Sequence, residues 1–483
     1  MIGITAYGAY IPRLRLSRQA AVAANGWFNP ALAALAKGER AMANWDEDSL
    51  TMAVEAARDC LDGTRPEGLA GVTLASTTLP FEDRQNAGVL ATALDLGANL
   101  RTMDVTASQR AATTALAAAL DGLAAGPVLL VAAEKRRARS ASARELLYGD
   151  GAAALLLGTR DVVAEYLGGH QISVDFVDHY RGQERAFDYG WEDRWIRDEG
   201  YLKIVPGALA GLFEKTGFAP EAIDHFIMPA AVRGVPQRIA SAAGIPDGAV
   251  RDTLQTVMGE AGTAHALIMF AEALAVAKPG ETVLLTGWGQ GCDALLFRAT
   301  DGAGKAAPRL GVRGHLARGR TEDNYTRFLA FNGLIEQEKG IRGERDKQTA
   351  LSALYRKKDM VLGFVGGVCR VCGTVQFPKT NVCVNPNCGE FHSQDDHRLA
   401  EVPAAVQSWT ADNLTFSPDP PHHFGMVVFE EGGRLMADFT DVDVGGVEVG
   451  MAMRMMFRIK EQDDLRGFTK YFWKAAPADT KEN

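Results

Sequence analysis

Two stretches of the chain order their hydrophobic and polar positions in the same way. The first opens with the apolar run GVTLAST (71–77) and continues into AATTALAAALDGLAA (111–125). It closes with GPVLLVAAE (126–134) and GDGAAALLLG (149–158). The second opens with DHFIMPAA (224–231) and continues into GTAHALIMFAEALAVA (262–277). It closes with ETVLLTGWGQG (281–291) and CDALLFRA (292–299). Each reads as strand, helix, strand, hairpin, strand. The two helical runs are almost wholly apolar, which predicts burial on all sides between layers. This order predicts a layered α/β domain of two similar halves over residues 1–300.

Beyond it the pattern changes. Residues 301–360 are charged and helix-prone, as in GRTEDNYTRFLA, and predict a solvated linker. Residues 361–397 hold a cysteine cluster. Residues 398–483 carry short alternating runs such as AEVPAAVQSWTA, GMVVFEEGG and AMRMMFRIK, which predict a small all-β barrel.

Composition narrows the function. The 483 residues are 47% hydrophobic and 23% charged, as in ordinary globular domains. A net charge of −9 argues against nucleic-acid binding and against an anionic membrane surface. No run approaches the roughly 18 apolar residues of a membrane span. The segment MIGITAYGAYIPRL lacks the layout of a signal peptide, so a cytoplasmic location is expected.

Four of the six cysteines lie in Cys369-Arg-Val-Cys372-Gly373 and Cys383-Val-Asn-Pro-Asn-Cys388-Gly389. Each pair, followed by glycine, suits a tight knuckle. Two knuckles supply four thiolates to one structural zinc ion, with no open position for water. The second knuckle has four intervening residues where two are usual, and His392 and His397 are nearby substitutes. Cys60 and Cys292 stand alone.

The runs WDEDSLTMAVEAARDCL (45–61), LASTTLPFEDRQNAGVLATAL (74–94), YGDGAAALLLG (148–158), DEGYLKIV (198–205) and VAKPGETVLLTGWGQGCDALLF (276–297) resemble the thiolase superfamily, nearest its 3-hydroxy-3-methylglutaryl-CoA synthase branch. CRVCGTVQFPKTNVC resembles the zinc-ribbon and OB-fold module often paired with thiolase-like subunits. The resemblance implies a five-layered thiolase-like fold, an acyl-CoA substrate, and a homodimer or higher homo-oligomer. It also implies a cysteine nucleophile at a helix N-terminus, and here the sequence departs from the family. Counting back from Thr114 puts Gln109 at the cysteine position, and a slip of one puts Ser108 there. The family's glutamate position falls on Thr77, its histidine near Pro229, and its asparagine near Glu260.

Three readings follow. One is C–C bond making or breaking beside a CoA thioester, of aldol, retro-aldol or Claisen type, which needs a base and an oxyanion site but no thiolate. Its candidates are Glu260 and His265 at the start of an apolar helix, with Tyr189 or Tyr201 as proton donor. Another is decarboxylation of a malonyl-type thioester, with the Gln109 amide stabilising the enolate. The third is a non-catalytic acyl-CoA scaffold. The insert at 173–205, rich in Asp178, His179, Asp188, Tyr189, Trp191 and Tyr201, suggests a lined pocket or lid. In GWGQG, the amides of Gly287, Gly289 and Gly291 are expected to face the thioester oxygen. Arg136, Arg137 and Arg139 either meet CoA phosphates or lie in solvent.

Overall fold

A nine-stranded sheet forms the spine of the first unit of the computed structural model, which describes residues 1–304 and 307–478. Its strands run in the order His225–Ile227, Thr282–Trp288, Gly291–Ala299, Ala164–Ser173, Gly3–Tyr10, Asp150–Gly158, Val128–Lys135, Gly71–Ala75 and Arg101–Val105. Each half keeps one plan. Gly71–Ala75 is parallel to Val128–Lys135, which turns back antiparallel into Asp150–Gly158. Likewise His225–Ile227 is parallel to Thr282–Trp288, which turns back into Gly291–Ala299. The central strands Gly3–Tyr10 and Ala164–Ser173 join the halves.

Successive side chains on a strand point to opposite faces, and here both faces are covered. Val283, Leu285, Leu295 and Phe297 enter one core with the helices Ala111–Asp121 and Gly262–Leu274. Leu284, Ala294 and Leu296 enter the other, against Val205, Leu209 and Leu212 of the helix Leu202–Thr216. In Gly262–Leu274 every residue but Glu272 is buried, which is why its sequence shows no polar stripe.

Residues 301–334, expected within the linker, belong to this first unit. Arg320–Glu322 pairs with Leu14–Ser17. The helix Tyr325–Phe331 buries Phe328 and Phe331, and the Arg40 guanidinium lies 4.9 Å over the Phe328 ring. Two phenylalanines at helical spacing supply the apolar contact that a solvated linker lacks.

The second unit takes in Trp45–Glu47, Val89–Gly97 and the chain from Ile335. Val365–Cys369 lies between Val375–Gln376 and Gln394–Arg398 in a three-stranded sheet. Five longer strands follow, in the order Arg434–Asp438, His422–Phe429, Ala404–Asp412, Ala452–Asp463 and Phe468–Pro477. A bridge between Phe439 and Ala475 joins the two ends of that sheet, closing a barrel.

Candidate active site

Gln109 lies at the head of the helix Ala111–Asp121, in a turn held from below. Buried Asp293 accepts hydrogen bonds from Arg110 (2.7 Å), Thr113 (2.8 Å) and Thr114 (2.7 Å). The Ser108 hydroxyl donates to the Gly289 carbonyl at 3.1 Å and accepts from the Arg110 amide at 3.3 Å. It is therefore committed to the turn and does not line the cavity described below.

The glycines of GWGQG make this packing possible. A Cβ on Gly287 would lie 1.9 Å from Thr113 Oγ1, and one on Gly289 would lie 2.8 Å from Ser108 Oγ. Gly289 and Gly291 hold φ of +152° and +121°. The three glycines were expected to face a thioester oxygen. They instead let the strand ends pack against the Thr113 side chain, the Ser108–Arg110 turn and the Ile172 backbone, and none lines the cavity.

Gln109 Nε2 donates to Glu260 Oε1 at 2.6 Å. The Glu260 backbone is pinned in turn, its N–H donating to Leu147 O at 2.8 Å and its carbonyl accepting from Gly149 at 2.9 Å. Its carboxylate does not cap the following helix. The other oxygen takes Arg136 Nη1 at 2.8 Å. Arg136 also reaches Asp188 at 2.8 Å and the Tyr148 hydroxyl at 2.6 Å, and Arg181 meets Asp188 at 2.7 Å. Gln109, Glu260, Arg136 and Asp188 thus form one hydrogen-bonded chain, with Arg136 and Glu260 buried and Gln109 and Asp188 half-buried. Burial disfavours the Arg136 cation, but Tyr148, Glu260 and Asp188 outweigh it and hold its pKa well above the usual value. Arg136 is therefore a fixed internal charge, not a solvent-facing phosphate ligand.

A cavity of about 470 Å³ opens on this chain. Gln109, Glu260, Arg136 and Tyr148 line it together with Asp178, His179, Asp188, Tyr189, Trp191 and Tyr201 of the insert. The insert forms a two-residue ladder, His179–Tyr180 with Tyr189–Gly190, and then a π-helical turn, Ile196–Tyr201. Tyr201 is buried, its ring centroid 4.3 Å from that of Trp288. Burial and the charges of Asp178 and Glu260 push its phenol well up, so it stays protonated and able to donate.

Asp178 forms a second connected group. Its Oδ1 lies 3.0 Å from His179 Nδ1, and its Oδ2 accepts from Trp288 Nε1 at 3.0 Å. Burial raises its pKa, but the hydrogen bond and charge of His179 and the bond from Trp288 outweigh that and leave it lowered. The sequence places both residues in the insert with nothing to couple them beyond adjacency. The adjacent acid and imidazole were the only signal. Arg139 also lines the cavity, whereas Arg137 is exposed outside it.

His265 lies elsewhere. Its Nδ1 accepts from the Ala261 amide at 3.2 Å and its Nε2 meets Thr253 O at 2.8 Å, so both ring nitrogens are spent on backbone. Burial lowers its pKa, which favours the neutral ring. Its position four residues into a wholly buried helix start makes it a brace for that start. Cys60 and Cys292 are buried, line no part of the cavity, and have thiol pKa values raised by burial.

In the second unit the Sγ atoms of Cys369, Cys372, Cys383 and Cys388 all lie within 4.8 Å of one another. Cys369 and Cys388 are 3.9 Å apart, Cys372 and Cys383 3.5 Å. Zn–S bonds of about 2.3 Å in a tetrahedron need S···S near about 3.8 Å, so the set fits one structural zinc ion. Gly373 and Gly389 follow the knuckles at φ of +70° and +58°. The wider second knuckle closes through Cys388 N and Gly389 N, both donating to Asn385 O at 3.0 Å. His392 and His397 are not part of the cluster.

Comparison with known proteins places both units. The first has a thiolase-like fold. It aligns with MvaS in complex with 3-hydroxy-3-methylglutaryl coenzyme A at a TM-score of 0.56 and 21% identity, over 68% of this chain and 91% of that one. It aligns with an HMG-CoA synthase complexed with CoA at 0.59 and 18%, over 72% and 95%. Xanthomonas campestris OleA also matches, at 0.56 and 18%, over 62% and 98%. In sequence it is homologous to hydroxymethylglutaryl-CoA synthases. That of Aeropyrum pernix is 28% identical over 342 residues, 69% of this chain and 94% of the relative. That of Archaeoglobus fulgidus is 28% identical over 313 residues, 62% and 90%. The second unit matches the family descriptions "ChsH2, rubredoxin-like zinc ribbon domain" over residues 362–392 and "ChsH2, C-terminal OB-fold domain" over 399–458. Among the described residues no helix is long and apolar enough to cross a membrane.

Proposed function

We propose that the first unit binds a CoA thioester and makes or breaks the C–C bond beside it, by aldol, retro-aldol or Claisen-type chemistry, without a covalent acyl-enzyme. The observation that carries this reading is the Gln109–Glu260 hydrogen bond at the head of a buried helix, in a cavity that no cysteine lines. Glu260 takes one hydrogen of the Gln109 amide and fixes its plane. The second hydrogen is left to a thioester oxygen as it becomes an enolate. Tyr201 supplies a neutral hydroxyl to the same cavity. Donors fixed before the reaction stabilise such an oxyanion without reorganising. The homology with hydroxymethylglutaryl-CoA synthases supports the thioester class.

Retro-aldol cleavage of a β-hydroxyacyl-CoA comes first because the insert brings Asp178, His179, Asp188, Tyr189 and Tyr201 to the lining, suiting a hydroxylated acyl group. The test incubates the purified chain with β-hydroxyacyl-CoAs and with malonyl-CoA, and follows products by mass spectrometry. An aldehyde or ketone with a shortened acyl-CoA is the expected outcome. Acetyl-CoA from malonyl-CoA alone would replace the reading with decarboxylation through Gln109. Saturable binding without turnover would leave a scaffold. A homo-oligomer of this unit is part of the proposal: Arg101–Val105 is a sheet edge with Met103 exposed, and light scattering reads the assembly directly.

A further inference from the structure

We propose that His179 is the general base of the reaction, held in its reactive tautomer by Asp178, which Trp288 positions in turn; this rests on the C–C cleavage reading above. The Asp178 carboxylate can only accept, so the 3.0 Å contact assigns the proton to His179 Nδ1. In the neutral ring the lone pair is then on Nε2, which has no hydrogen-bond partner among the described residues, and His179 lines the cavity. The His179 backbone N–H also donates to Asp178 Oδ1 at 2.8 Å, and the Trp288 indole N–H fills Oδ2 at 3.0 Å. Every hydrogen bond to the Asp178 carboxylate thus fixes the imidazole or the acid that orients it. A base oriented by a buried carboxylate, its second nitrogen open to a cavity, has the geometry of proton abstraction. His265 provides the contrast, because both its nitrogens are closed.

Other charged groups around the ring are already committed. Asp188 is paired with Arg136 and Arg181, and Glu260 with Arg136 and Gln109. Tyr201 is held protonated and cannot act as the base. His179 Nε2 has no such partner.

His179 Nε2 takes the proton of the β-hydroxyl. The O–H pair becomes the carbonyl π bond, and the Cα–Cβ bond breaks. Its electron pair passes to the thioester oxygen, where Gln109 Nε2 and Tyr201 stabilise the enolate. The imidazolium then returns the proton to Cα. The products are a carbonyl compound and an acyl-CoA shortened by that fragment, with no net proton or electron exchanged.

The test measures carbonyl release from a β-hydroxyacyl-CoA by wild type, His179→Gln, His179→Ala and Asp178→Asn, with a thermal melt to confirm folding. His179→Gln is expected to lose about 100-fold or more in kcat with KM within about threefold. It should also lose the acid limb of the wild-type kcat/KM profile. Added imidazole should restore part of the activity of His179→Ala, which a merely structural role would not allow. Asp178→Asn, a positioning change, should lose about tenfold or more in kcat with KM little changed. Wild-type turnover with kcat of His179→Gln within about threefold overturns the assignment and leaves the cleavage reading standing. No carbonyl release by wild type from any β-hydroxyacyl-CoA overturns the cleavage reading and this base with it. If His179→Gln does not fold, imidazole rescue of His179→Ala decides: rescue supports the base and its absence overturns it.

Discussion

Trp288 Nε1 donates to Asp178 Oδ2 at 3.0 Å, although the two residues are 110 positions apart. One end of the indole fixes a carboxylate, and its face meets the Tyr201 ring at 4.3 Å. The tryptophan of GWGQG, and not its glycines, is therefore the residue of that motif that touches the cavity groups. Replacing Trp288 by Phe keeps most of the ring packing and removes the donor. A hydrogen bond to a buried charge contributes about 1.5–3 kcal/mol, so a loss of that order is expected in urea unfolding. Activity should fall with it, and a variant retaining full kcat would show that the Asp178 orientation does not matter.

Gln109 offers a direct probe of the proposed oxyanion site. Gln109→Ala removes one donor and should lower kcat about 100- to 1,000-fold with little change in melting temperature. Gln109→Glu sets a second carboxylate against Glu260, where the wild-type contact is 2.6 Å. Like charges at that distance cannot both ionise, so activity should fall and the cavity should take up a proton, measurable by titration against wild type.

Stability should decline on acidification through a defined pair of groups. Burial raises the pKa of Asp188, but the charge and hydrogen bond of Arg136 and the charges of His179 and Arg181 outweigh it and hold it below its usual value. Asp178 is lowered too. A carboxyl whose folded pKa is depressed contributes stability above its unfolded pKa, about 3.9, and loses it as pH falls through the folded value. Melting temperature should therefore drop below about pH 4. Asp188→Asn should be less stable at neutral pH and show a shallower acid decline.

Asp293 anchors the turn that carries Gln109. Asp293→Ala leaves the Arg110 guanidinium, now salt-bridged at 2.7 Å, without its partner in a mostly buried site. Breaking such a pair costs about 3 kcal/mol or more. Guanidinium unfolding should register that loss, and activity should fall even where folding persists.

Metal analysis should find about one zinc per chain, removable only with loss of structure in the second unit. Cys383→Ser should lower zinc content and the thermal stability of that unit. His392→Ala should leave zinc unchanged, because the four thiolates already complete the cluster.

The repeated strand–helix–strand order was legible because burial on both faces leaves continuous apolar runs, and Leu284 and Leu285 both had to be apolar for that reason. The cysteine knuckles were legible because their ligands are local in sequence. The charge of residues 301–334 hides the two buried phenylalanines of one short helix, Tyr325–Phe331. Gln109, Glu260 and Tyr201 were singled out, and the structure brings all three to one cavity. His265 and Ser108 were singled out by type, yet their polar atoms serve neighbouring backbone.

The sequence by itself determined which segments pack, where the chain turns, and where four sulfurs can meet around a metal. Those properties follow from periodicities and spacings of a few residues. Only the tertiary structure decided which polar groups are spent and which remain available. Gln109 meets Glu260 across 151 positions, and Arg136 meets it across 124. Partners so far apart leave no local spacing to read. Both nitrogens of His265 meet backbone, at Ala261 N and Thr253 O, whereas the proposed base His179 meets its neighbour Asp178, which Trp288 holds from 110 positions away.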